Sequence, residues 1–227
     1  MKRLFLLVPL LLCLANTEAF GQRVSFQDAV ESIEGRIEPA EARPGQTVTY
    51  KLTVKLRTHF YTYPTVQPDP IIAESRNEIV LPTEGDLIFV EPVSDPPNAK
   101  IKTTKIGAAS GKSSYYPDEV TWEFKAVVSP LASPGEKKIA LKKFRPLVCK
   151  ADGETEFCLP PRTVPVVATI KVAGERMAVE DKYLATVEKE LAARAAVPLP
   201  VPGKPKDPTV VVPEVIVPPS PSIARLQ

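Results

Sequence analysis

The chain has 227 residues, with 29 Lys and Arg residues against 27 Asp and Glu residues and a formal net charge of +2. This balance, without a basic block or an acidic tail, argues against nucleic-acid partners and against an electrostatic role at a membrane surface. Proline is abundant at 26 residues, whereas glycine is modest at 10. Such a bias is typical of a β domain with many turns joined to an extended proline-rich segment.

The first 21 residues have the three parts of a secretory signal peptide. Lys2 and Arg3 form a positive start, residues 4–14 are almost entirely apolar, and small residues follow at Ala19 and Gly21. The apolar run is shorter than the roughly 20 residues that a membrane-spanning helix needs. We therefore expect residues 1–21 to be a signal peptide and the remaining chain to be soluble, in the periplasm or otherwise exported.

Residues 36–172 predict a series of short strands separated by turns. Apolar and polar residues alternate strictly over residues 47–56, the pattern of a half-buried antiparallel strand. Further strands are predicted at residues 79–81, 87–90, 120–128, 138–149 and 163–172. Several short strands with turns between them predict an all-β, immunoglobulin-like β-sandwich, which we assign to residues 22–174.

Residues 175–195 are predicted to form an amphipathic helix that follows the sandwich. Four apolar side chains fall at helical spacing among charged residues: Tyr183, Leu184, Val187 and Leu191. Their narrow stripe favours packing on the edge of the sandwich, and pairing with a helix of a partner is the alternative.

Residues 196–227 contain nine prolines. Proline at this density blocks helices and sheet ladders and favours an extended polyproline conformation. We predict a disordered linker or tail, with a ligand for a proline-binding module as the alternative.

Most catalytic arrangements find no support in the sequence. His59 is the single histidine, and its aromatic-rich surroundings predict a packing role. Two cysteines beyond the signal peptide are too few for a cysteine-based zinc site. Residues 107–113 fall one residue short of a phosphate-binding loop and lack its flanking strand and helix, so a flexible loop is predicted there. The sequence indicates no cofactor, no metal and no small-molecule substrate.

Cys149 and Cys158 are the only cysteines outside the predicted signal peptide. A disulfide between them would close a ring of ten residues and stabilise the fold by roughly 2.5–3 kcal/mol. Such a pair either staples a hairpin or carries electrons by thiol–disulfide exchange. Basic residues near the pair favour a thiolate, and the acidic residues of the intervening loop offset them. Composition alone favours the structural use.

Three sequence blocks resemble a known family. They are Val148-Cys149 with Phe157-Cys158-Leu-Pro-Pro-Arg-Thr-Val-Pro165-Val, Gly111-Lys-Ser-Ser-Tyr-Tyr116-Pro-Asp118-Glu-Val-Thr121, and the pair Pro44-Gly45-Gln-Thr-Val and His59-Phe-Tyr61. Residues 36–172 are thereby similar to the N-terminal periplasmic domain of the thiol:disulfide interchange protein DsbD, the disulfide bond corrector family. The most specific of these blocks is Cys-Leu-Pro-Pro.

This resemblance implies an immunoglobulin-like sandwich with Cys149 and Cys158 as its catalytic redox pair. It also implies a membrane-embedded thiol reductase as electron donor and periplasmic thioredoxin-like or disulfide isomerase proteins as acceptors. Without the resemblance, the alternative is a non-catalytic immunoglobulin-like interaction module with a structural disulfide.

The chain departs from the family pattern at three points. Eight residues separate the cysteines, which is a longer spacing than is expected for the family. Residues 108–110 are Ala-Ala-Ser where the family has a shielding aromatic residue, so Tyr115, Tyr116 and Phe157 are the candidates to shield the pair. No membrane domain or thioredoxin-like domain follows in this sequence, so the electron donor is expected on a separate chain.

Overall fold

The computed structural model describes residues 24–107, 109–152 and 155–196. The predicted signal peptide and residues 197–227 of the predicted tail lie outside these ranges. In chain order the helices and strands are α1 Phe26–Ala29, β1 Val30–Glu38, β2 Glu41–Ala42, β3 Thr47–Leu56, β4 Phe60–Thr62, β5 Glu78–Val80, β6 Leu87–Phe89, β7 Lys100–Ile106, β8 Ala109–Pro117, β9 Glu119–Val128, β10 Gly135–Ala140, β11 Lys143–Arg145, β12 Val148–Asp152, β13 Thr155–Cys158, β14 Val167–Val172 and α2 Asp181–Ala196. A short 3-10 helix, Pro70–Ile72, lies between β4 and β5.

The strands form a mostly antiparallel β-sandwich. One sheet has the order β1-β3-β9-β6, and a five-stranded sheet has the order β13-β12-β4-β8-β7. Two smaller sheets, β10-β14-β2 and β11-β5, complete the described fold, and β14 with β2 is a parallel pair. The predicted all-β, immunoglobulin-like sandwich followed by a helix is confirmed. Among the described residues, none of the helices is long and apolar enough to cross a membrane.

The alternating buried side chains of β3 and β9 form a large part of the hydrophobic core. Every second residue of β3 is buried, as its sequence pattern predicts. Trp122 of β9 is fully buried and lies edge-on to Tyr116 of β8 and Phe144 of β11, with ring centroids 5.8 and 6.4 Å apart. Three sheets thus meet at one indole, and burying a side chain of this kind contributes about 1.5–3 kcal/mol.

A single carboxylate connects this core to the loops beside the five-stranded sheet. Asp95 accepts hydrogen bonds from the backbone N–H of Thr65 at 2.7 Å and of Val66 at 3.1 Å. It also accepts bonds from the Thr65 hydroxyl at 2.8 Å and from Nε1 of Trp122 at 2.9 Å. The segment after β4 is therefore held against the largest fully buried side chain of the described residues.

Helix α2 packs on the edge of the sandwich, which is the favoured alternative of the sequence interpretation. Tyr183 and Val187 are buried against Ile88 and Val127. The predicted start of the helix at residue 175 is wrong, because α2 begins at Asp181 and the residues before it run alongside another turn. The N–H of Met177 donates to the carbonyl of Pro44 at 2.9 Å, and this backbone passes so close to Gly45 that a Cβ there would lie 2.2 Å from the Met177 carbonyl oxygen. Leu184 is exposed, because the packed stripe of the helix is narrower than its apolar residues suggested.

Two other expectations about strands are corrected by the structure. The predicted strand 138–149 is divided among β10, β11 and β12. Pro146 lies at the second division and lacks the N–H that a continuous ladder would need. Most of the predicted loop 107–113 belongs instead to the second strand of a hairpin, because β8 begins at Ala109 and its residues 109–115 pair with β7.

Replacing Asp95 by Ala should lower the free energy of unfolding by about 2–3 kcal/mol, because Trp122 and the loop donors lose their common acceptor. Urea unfolding followed by tryptophan fluorescence measures the change. Asp95→Asn, which keeps one acceptor oxygen, should lose less stability, and Glu84→Ala on an exposed turn should lose almost none. Equal stability of Asp95→Ala and the native chain would contradict this role for the carboxylate.

Candidate functional site

The two cysteines that the sequence singles out are brought together by the pairing of β12 with β13. Cys149 and Cys158 are direct cross-strand partners, with Cα atoms 3.9 Å apart, and they form a disulfide. Residues 153 and 154, between the two strands, lie outside the described ranges. The spacing of eight residues is therefore accommodated by a hairpin whose register places the sulfurs opposite one another.

The two halves of the disulfide have different surroundings. Cys149 is 0% exposed, because β12 lies between β13 and β4. Cys158 is exposed, because β13 is an edge strand of the five-stranded sheet. A reagent or a partner protein that approaches this edge therefore meets Cys158 first.

Cys149 packs against a cluster of tyrosine rings. Tyr61, its register partner on β4, and Tyr63 point to the same face of the sheet, because side chains two residues apart in a strand share a face. Both tyrosines are 2% exposed. The Tyr61 ring lies edge-on to Tyr63 and to Tyr115 of β8, with centroid distances of 5.4 and 5.3 Å. The buried Cys149 side chain therefore shares one cluster with three phenol rings.

An ion pair crosses this tyrosine face. Lys102 of β7 and Glu156 of β13, from the opposite edges of the five-stranded sheet, are joined by a direct hydrogen bond. The Lys102 ammonium lies 3.8 Å from the centroid of the Tyr61 ring, a cation–π contact. The Tyr61 hydroxyl donates to the same Glu156 carboxylate and lies 3.3 Å from the Tyr63 hydroxyl.

The electrostatics of the cluster follow from burial and from this ion pair. Burial opposes ionisation of Glu156, but hydrogen bonds from Lys102 and Tyr61 outweigh it and hold the pKa of the carboxyl below its ordinary value. Burial, reinforced by the bond to Glu156, raises the pKa of Tyr61, and burial also raises the pKa of Tyr63. The cluster therefore holds one ammonium, one carboxylate and neutral phenols beside Cys149.

The three aromatic residues that were candidates to shield the cysteine pair lie in three different environments. Tyr115 lies in the tyrosine cluster next to Cys149. Tyr116 faces the main core, where its ring contacts Trp122 and its hydroxyl donates to the Pro96 carbonyl at 2.7 Å. Phe157 is 39% exposed and points to the opposite face of β13 from its neighbours 156 and 158, so it does not lie in the tyrosine cluster.

The predicted packing role of His59 is wrong, because its side chain is exposed. His59 adopts a φ of 71° in the turn between β3 and β4, and its carbonyl accepts the N–H of Ala151 at 2.9 Å. The residue therefore acts through its backbone, beside the cysteine hairpin.

Several basic residues near the cysteines in sequence are engaged away from the sulfurs. Lys143 bonds Glu78 at 2.7 Å, and the Arg162 guanidinium lies over the Phe26 ring at 4.9 Å. The cation that the structure does place on the tyrosine cluster is Lys102, which the sequence interpretation did not identify. Residues 100–106 contain three lysines among isoleucines and threonines, and this local pattern does not indicate the partner of Lys102.

The chain matches no model of a known protein family and no curated protein. A structural similarity is found to the sixth cohesin of scaffoldin B from Acetivibrio cellulolyticus, solved in complex with a Cel5 dockerin. The identity is 11%, the match covers 63% of this chain and 99% of the cohesin, and the TM-score is 0.24. At that TM-score the similarity has no bearing on the fold or the function of this chain.

In the reduced, folded protein, iodoacetamide should label Cys158 at least about tenfold faster than Cys149, because thiol reactivity depends on exposure. Mass spectrometry of the cysteine peptides measures both rates. The difference should disappear in 8 M urea, which serves as the control. Equal rates in the folded protein would show that the burial of Cys149 does not protect it.

Glu156 should make the stability of the protein depend on pH. Its carboxyl pKa is lowered from the ordinary value of 4.5, so the stabilisation is fully present above that value and is lost as the pH falls through the lowered pKa. Between pH 5 and pH 3, the native chain should therefore lose more stability in urea unfolding than Glu156→Gln does. Glu119→Gln, on the exposed face of β9, is the matched control and should follow the native chain. A Glu156→Gln curve parallel to the native one would refute the coupling.

Proposed function

We propose that this protein is a thiol–disulfide exchange module that passes electrons through Cys149 and Cys158. The observation that carries the proposal is the asymmetry of the pair, with Cys158 exposed on an edge strand and Cys149 buried against tyrosines. Exchange requires that an attacking thiolate reach one sulfur in line with the S–S bond. An exposed cysteine on an edge strand offers a partner thiolate such an approach from outside the core.

The chemistry proceeds through a mixed disulfide. A thiolate of the donor attacks Sγ of Cys158, a new S–S bond forms, and Sγ of Cys149 departs with the electron pair of the old bond and takes up a proton. The second thiolate of the donor then attacks the donor's first sulfur, which is bonded to Cys158 in the mixed disulfide. Cys158 is released as a thiolate and is protonated. The donor is oxidised to a disulfide and the Cys149–Cys158 pair is reduced by two electrons. The reverse sequence delivers these electrons to an acceptor disulfide.

The resemblance to the N-terminal domain of DsbD supports this proposal and supplies its setting. In this setting the protein is exported to the periplasm after removal of residues 1–21. Its electron donor is a membrane-embedded thiol reductase, and its acceptors are thioredoxin-like or disulfide isomerase proteins. The donor would be a separate chain that meets the β13 edge. No small-molecule substrate is part of this scheme.

The complete burial of Cys149 favours a second candidate, an interaction module in which the disulfide only staples β12 to β13. A structural disulfide has a low reduction potential, because the folded protein favours the bonded form. The potential therefore separates the two candidates.

The test is the reduction potential of Cys149–Cys158 in the full chain carrying Cys13→Ser, equilibrated against defined ratios of reduced and oxidised glutathione. We expect a potential above about −250 mV, the range of exchangeable dithiols. A potential below about −300 mV would assign the disulfide a structural role and reject the exchange function.

Two single cysteine variants control for the identity of the attacked sulfur. With oxidised glutathione, Cys149→Ser should accumulate a mixed disulfide at Cys158, because that residue is exposed. Cys158→Ser should form the corresponding adduct at Cys149 much more slowly, because Cys149 is buried. Unfolding of Cys149→Ser at room temperature would favour the stapling role.

A further inference from the structure

The exchange reaction creates a charge at the most enclosed position of the site. When Cys158 is attacked, Cys149 departs as a thiolate, although it is 0% exposed. An anion removed from water is unstable unless a cation or hydrogen-bond donors are near. The titratable and charged side chains that the described contacts group around Cys149 are Tyr61, Tyr63, Tyr115, Lys102 and Glu156.

Of these groups, Lys102 is the one that carries a positive charge. Its ammonium lies within 3.8 Å of the Tyr61 centroid, 5.4 Å of the Tyr115 centroid and 5.9 Å of the Tyr63 centroid. Glu156 bonds this ammonium and sits two residues before Cys158 on the same face of β13. The ammonium favours a thiolate at Cys149 and the carboxylate opposes it, so the two effects largely cancel while the pair is intact.

We propose that Lys102 is a positioning residue for the departing Cys149 thiolate and that Glu156 sets the strength of its effect. This inference rests on the proposed exchange function and adds to it an electrostatic control of the buried sulfur. Lys102 acts through space across the Tyr61 ring, and the ion pair fixes the location of its charge. The reactivity of Cys149 is then adjusted from β7 and β13, the two edges of the sheet.

A purely structural clasp between β7 and β13 leads to a different expectation. Removing either partner would break the same contact, so both variants would change the site in the same direction. An electrostatic role requires opposite directions, because the two side chains carry opposite charges. The sign of the change therefore distinguishes the two roles.

The experiment measures the pKa of the Cys149 thiol from the rate of alkylation by iodoacetamide between pH 5 and pH 10. The full chain carries Cys13→Ser and Cys158→Ser, so that Cys149 is the one remaining thiol. In this background Lys102→Met should raise the midpoint by about one pH unit, and Glu156→Gln should lower it by about one unit. Lys102→Arg should stay near the parent, and Lys105→Met, on an exposed position of the same strand, is the matched control that should not shift.

Opposite shifts of the two variants would support the proposal, and shifts in the same direction or no shift would overturn it. If Lys102→Met fails to fold, Lys102→Gln takes its place in the comparison, because the decisive result is the relative direction of the lysine and glutamate shifts. The readout needs no redox partner, so it is separate from the glutathione equilibrium. A potential below about −300 mV would reject the exchange function whatever the alkylation midpoints are.

Discussion

The strict alternation of side chains along β4, β8 and β12 is the constraint on which the site depends. Val148 and Tyr116 point into the main core, whereas their neighbours Cys149 and Tyr115 point to the tyrosine cluster. A shift of one residue in the register of any of these strands would exchange the two faces. The burial of Val148 and Tyr116 therefore also fixes where the cysteine and the tyrosine lie.

The two faces of the five-stranded sheet differ in the contacts that hold them together. The inner face is a continuous apolar core that meets at Trp122. The outer face contains a lysine, a carboxylate and phenols whose hydrogen bonds and ring contacts form one network around the disulfide. Because Lys102 and Glu156 come from opposite edges of one sheet, the network also ties the cysteine hairpin to the β7–β8 hairpin. The chemistry proposed for the pair thus occurs at a site that is supported from both sides.

Patterns of residues close together in the sequence predicted a strand, the packed side of a helix and a hairpin. The alternation in residues 47–56 predicted β3, and helical spacing identified Tyr183 and Val187 as the packed side of α2. The close spacing of the two cysteines indicated a hairpin. The Asp95 and Lys102 contacts were not predictable in this way. Asp95 meets donors about 30 residues away on either side, and Lys102 meets a carboxylate 54 residues later, so only the assembled sheets bring them together.

The edge position of β13 has a consequence for how the protein behaves among other chains. An exposed edge strand offers unpaired N–H and C=O groups to which a strand of another molecule can add, a common route to aggregation. Here the edge is only four residues long and is followed, after Leu159, by Pro160 and Pro161, which have no N–H to donate. The two prolines thus keep the edge that presents Cys158 too short to seed a growing sheet, while leaving its sulfur exposed.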